Sequence, residues 1–141
     1  MSATQLAALA RTTDPQTALR RFLALDAVVT GGNALAYLAA SGPLGDLLGV
    51  DSTLLLELGV FLAVFAAGVG WLASRARPAA FPVRAVVEAN FAWAALSLVA
   101  LAVWLTPTTA GAVWTVLQAT TVAGFAVLQY AALKGRQGSS D

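Results

Sequence analysis

Residues 54–73 read LLLELGVFLAVFAAGVGWLA, twenty positions of which one, Glu57, carries a charge. At 1.5 Å per residue a helix of that length rises about 30 Å, the thickness of a bilayer's hydrocarbon. The stretch predicts a membrane span. Three more apolar runs of similar length lie on either side of it, at 22–40, 83–105 and 111–133. The expected fold is therefore all-α: an integral membrane four-helix bundle built from two helical hairpins, with 1–141 as a single transmembrane domain. Residues 1–20 form an N-terminal segment and 134–141 a tail. Composition agrees, because 59% of the 141 residues are hydrophobic and 11% charged, against about 25% charged in soluble domains. Eight Lys/Arg against seven Asp/Glu leave no basic excess for nucleic acid. The chain has no Cys and no His, which excludes disulfides, thiolate or imidazole metal sites and Cys or His catalysis. No cofactor and no metal are expected.

The cations predict the orientation. Arg11, Arg20 and Arg21 precede the first span, Arg75, Arg77 and Arg84 lie between the second and third, and Lys134 and Arg136 follow the fourth. The loops 41–52 and 106–110 hold none, so the positive-inside rule puts both termini and the middle loop in the cytoplasm. Trp104 and Trp114 then fall at the outer interface, and Trp71, Phe81 and Tyr130 at the inner one. Asp14-Pro15 suits an N-cap and first turn of a helix running into span one, Gly42-Pro43 suits its end, and 42–50 suits a short interfacial turn.

Polar side chains at hydrocarbon depth are the candidate site, since lipid offers them no partner. Asp26, Thr30, Asn33 and Tyr37 recur at four, three and four residues and share one helical face. Asn90, Trp93 and Ser97 repeat the spacing in span three, with Glu88 about 200° round from Asn90. In span four Gln118 and Gln129 share a face, with Thr121 beside it. These positions predict a polar interior open, if anywhere, toward the cytoplasm. Asp26 has no same-helix cation three or four residues away, so it needs a cross-helix partner such as Arg84, a proton, or water. Span two has a ridge of small residues instead, Gly59, Ala63, Ala66 and Gly70, that admits close helix contact, while Leu62 is expected to face lipid. The pair Gly31-Gly32 marks close packing or a bend.

No glycine-rich phosphate loop, HExxH, GxSxG or Asp-rich metal run is present, so an enzyme is not expected. The stretches 25–37 (LDAVVTGGNALAY), 42–49 (GPLGDLLG) and 106–118 (TPTTAGAVWTVLQ), with Glu88-Ala-Asn90 and Trp93, resemble uncharacterised four-span membrane proteins of high-GC actinobacteria. That resemblance implies a location in a bacterial plasma (inner) membrane and carries no activity. The size and the acid in span one are reminiscent of small multidrug resistance transporters, but the residues around Asp26 lack that family's pattern. Two functions follow as expectations. One is a non-catalytic accessory or assembly protein acting through helix–helix contacts with itself or a membrane partner; the other is a small oligomeric transporter or channel using the polar interior and a protonatable Asp26. The bilayer is the expected partner, nucleic acid is not.

Overall fold

The computed structural model describes residues 2–4 and 14–140, with side chains to residue 136. Arg11 and the other residues at 5–13, together with Met1 and Asp141, lie outside the described residues. Among the described residues from 15 onward five helices follow one another: α1 (Pro15–Ala39), α2 (Ser41–Leu48), α3 (Ser52–Ser74), α4 (Ala80–Val103) and α5 (Thr109–Ser140). Four of them, α1, α3, α4 and α5, are long and apolar enough to cross a membrane. The protein is an all-α, multi-pass membrane bundle.

Local chemistry sets the helix ends. The Asp14 carboxylate accepts from the Gln16 N–H at 3.3 Å, and Pro15 occupies the first turn, where its missing N–H costs nothing. Asp51 caps α3 in the same way, accepting from the Thr53 N–H at 2.8 Å. The segment expected to be an interfacial turn is instead the helix α2. The chain already turns at Ala40, so Gly42-Pro43 falls in the first turn of the new helix, a place where proline is tolerated. Gly49 closes α2 at φ 69°, the left-handed cap that favours glycine. Pro82 likewise falls in the first turn of α4 and does not break the chain. At the other end α5 continues through 134–140, so the tail extends the fourth helix.

The bundle is apolar on its outer surface as well as in its interior. Val28, Leu35, Val64, Leu96 and Val103 are each more than 65% exposed, as a lipid-facing surface requires. Among the described residues the interior has two apolar clusters. One, around Leu19, Leu23, Val69, Val83 and Leu133, fills the end where the termini lie; the other, around Ala34, Tyr37, Leu55 and Leu62, fills the opposite half. Leu62 therefore faces the core, at 8% exposure, and not lipid. In a helix apolar all round, periodicity cannot say which apolar residue points inward.

The small-residue ridge on α3 packs within the chain, against α1. Gly59 meets Tyr37 and Leu38, Ala66 lies opposite Gly31, and Gly70 opposite Ala27, while Ala63 borders the second cluster. Gly32 faces open space, and α1 runs through the Gly31-Gly32 pair without interruption. α1 also packs on α5, and α5 on α4, whereas α3 and α4 barely meet. The round of helices is therefore open along one seam.

Polar ties close the termini end. Gln16 donates to the Ala76 carbonyl at 2.6 Å, Arg20 to the Ala73 carbonyl at 3.2 Å, and Arg136 to both Gln16 and the Pro78 carbonyl. Arg136 is itself buried. These cations satisfy carbonyls that the end of α3 and the loop after it leave without helical partners. Arg75 stands 4.6 Å from the Trp71 ring centroid and Lys134 5.4 Å from that of Tyr130.

Candidate functional site: a buried acid and a lateral cleft

The α1 stripe points inward as its spacing predicts. Asp26 is fully buried, Thr30 and Tyr37 are buried, and Asn33 is half-buried. Asp26 accepts three hydrogen bonds: from Thr30 Oγ1 at 2.9 Å, from Asn90 Nδ2 at 2.8 Å and from Gln129 Nε2 at 2.8 Å. Asn90 also donates to Gln129 Oε1 at 3.1 Å, which closes the ring. One carboxylate thus joins α1, α4 and α5, and every partner is a neutral donor. The anticipated Arg84 pairing does not form, because Arg84 lies on the exposed face of α4. Glu88 is exposed too, outside the polar interior. Its 200° offset from Asn90 turns it outward once Asn90 turns in.

Toward the other end the polar groups form two separate pairs. Trp93 Nε1 donates to Gln118 Oε1 at 2.7 Å, and Trp114 Nε1 donates to the Tyr37 hydroxyl at 2.8 Å. Trp114 had the look of an interface-belt residue. Its place one turn before Gln118 puts it on that residue's face, and this was the signal for turning it inward. Thr121 is exposed, and its hydroxyl bonds to its own helix at the Leu117 carbonyl, 2.9 Å away. A threonine satisfied in this way needs no partner across the bundle. Ser97 is half-buried beside the outer cavity described next.

Two cavities occupy the open seam between α3 and α4. The first, of about 240 Å³, has Asn33, Asn90 and Gln118 on its inner wall and Phe61, Phe65 and Trp93 at its sides. The second, of about 220 Å³, continues toward Trp104 and the start of α5 between leucines of α2, α3 and α4. They share Tyr37, Trp93, Leu96 and Gln118, so they form one elongated cleft. No Asp, Glu, Lys or Arg lines either cavity. The Phe61 and Trp93 rings stack across the seam, with centroids 5.9 Å apart and planes 5° from parallel. Sequence reasoning did not single out Phe61 and Phe65, since phenylalanines in an apolar span carry no sign of which seam they border.

Asp26 does not line the cleft, although its partners Thr30 and Asn90 do. Below Asp26, toward the termini, lie Leu19, Leu23, Val69, Val83 and Leu133, none more than 1% exposed. The polar interior is therefore closed by apolar side chains on the side where an opening was expected, and the cleft that reaches it is lateral. Among the described residues no group of three or more acidic side chains is arranged to hold a metal ion. Comparisons of the chain with protein-family models, with curated proteins and with solved structures find no match.

Proposed function

We propose that this chain is a non-catalytic accessory protein of a bacterial plasma membrane, with both termini in the cytoplasm, which receives a bilayer-borne partner in the cleft between α3 and α4. The observation that carries this reading is the contrast between the two polar regions. Asp26 is closed off by apolar side chains toward the termini and has its oxygens occupied, whereas the cleft, which reaches its partners Thr30 and Asn90 but not the acid itself, opens sideways and has aromatic walls. A transporter working through Asp26 would need a wet path to it, and the five residues below it are packed apolar side chains. A laterally open cleft instead takes its occupant from the membrane.

Flux and access test the reading together. Proteoliposomes holding wild type or Asp26→Asn should pass protons no faster than empty vesicles when followed with a pH-sensitive dye; a flux abolished by Asp26→Asn would overturn it. A variant keeping Trp93 as its sole tryptophan should be quenched by lipids brominated at mid-chain. The orientation has its own check. Single cysteines at the exposed positions Asp46 and Thr109 should react with an impermeant thiol reagent on intact cells. A cysteine at the exposed Ala79 should react only after permeabilisation, and the reverse pattern would invert the topology.

A further inference from the structure

We infer that the cleft is a binding site for an uncharged ring that carries carbonyl oxygens and an apolar tail, the chemistry of a membrane quinone. This inference rests on the cleft reading above and names the class of its occupant. Three observations select the class. First, the absence of any charged lining residue excludes an ionic ligand, whose desolvation nothing would offset. Second, the cleft holds hydrogen-bond donors that have no acceptor. Among the described residues the Asn33 side chain has no hydrogen-bond partner, although it lines the cavity at hydrocarbon depth. The Tyr37 hydroxyl accepts from Trp114, yet its own O–H has no acceptor. Tyr37 is 8% exposed and borders both cavities. One turn apart on α1, these two groups present an amide N–H and a phenol O–H to the same space, and a carbonyl oxygen satisfies them at little desolvation cost.

Third, shape favours a ring over an acyl chain. Phe61, Phe65, Trp93 and Tyr37 surround the inner cavity, and flat aromatic walls reward a flat ligand. A cavity of about 150 Å³ holds benzene, so 240 Å³ accommodates a substituted ring. The leucine-walled outer cavity then takes the first carbons of a tail.

The test uses the full chain in detergent with Trp71 and Trp104, both exposed, changed to Phe, so that Trp93 and Trp114 report on the cleft. Titration with 2-decyl-1,4-benzoquinone should quench their fluorescence to saturation. Tyr37→Phe, which keeps the ring, and Asn33→Leu should each weaken binding about tenfold, the loss of one well-made hydrogen bond. Ala89→Phe, which fills the inner cavity, should abolish it, and decylbenzene, which lacks carbonyls, should fail to displace the quinone at equal concentration. The proposal is overturned if quenching rises linearly and equally in wild type and Ala89→Phe, or if decylbenzene competes as well as the quinone. Thermal melts identify any variant that fails to fold, and Tyr37→Phe then decides. Should quinone binding fail while mid-chain brominated lipid still quenches Trp93, the ligand class falls and the lateral cleft stands; should both fail, the cleft reading falls with it.

Discussion

Replacing Asp26 by Leu is expected to destabilise the bundle by about 3 to 5 kcal/mol, whereas Asp26→Asn should cost only about 1 kcal/mol. The carboxylate is the shared acceptor for Thr30, Asn90 and Gln129. Leucine leaves the Gln129 amide and the Thr30 hydroxyl as buried donors without their acceptor, each costing about 1 to 3 kcal/mol. Asparagine keeps the shape: its oxygen accepts from Asn90 and Gln129, and its amide donates to the Thr30 hydroxyl, which can reverse its role. The charge contribution to the two interhelical bonds is lost, but so is the cost of burying the charge. Arg84→Gln should change little in either background, since Arg84 is exposed. Reversible unfolding in mixed detergent micelles measures all four variants. Equal losses for Leu and Asn would mean that the negative charge, and not the geometry of acceptors, holds the three helices together.

The second large effect lies at the opposite end. A methyl group on Gly111 would overlap the Leu48 carbonyl oxygen and stand 2.8 Å from Pro107 Cβ. Backbone cannot swing aside as a side chain can, so Gly111→Ala must push the start of α5 away from the end of α2. That displacement strains the bonds from the Thr108 N–H to Leu48 O at 3.2 Å and from its hydroxyl to Leu47 O at 2.7 Å. A loss of about 2 to 3 kcal/mol is expected, in the upper part of the usual range for overpacking. Gly124→Ala in the same helix should do the opposite. A methyl there meets nothing within 4 Å, so the change gains about 0.5 to 1 kcal/mol of helix propensity. The same unfolding assay should return opposite signs, and two losses of equal size would refute the close contact with Leu48.

The spans were legible because apolar length is a one-dimensional property that lipid imposes directly. The inward face of α1 was legible too, since Asp26, Thr30, Asn33 and Tyr37 contrast with their neighbours at helical spacing. Cross-helix partners were not. Asn90 and Gln129 lie 64 and 103 residues from Asp26, and spacing within one helix says nothing of which neighbour rotates toward which. Arg84 was an attractive partner on charge alone, but the amides on the inward faces of α4 and α5 could reach the acid without bringing a second charge into the interior. The seam between α3 and α4 was invisible for a related reason, because a gap is a property of four helices together and leaves no mark on either of the two that border it.

The separation of Asp26 from its partners also bears on how the protein is made. A chain synthesised from its N-terminus delivers the acid first, with only Thr30 on its own helix to meet it. Asn90 arrives with the third span and Gln129 near the end of the fourth. Until then the first hairpin holds an under-coordinated carboxylate in the membrane, an arrangement that disfavours any resting state short of the complete bundle. A chain truncated before Gln129 would lack the amide that closes the ring. The ring around Asp26 is therefore complete only once the fourth span is in place, closed by Gln129 near that span's end.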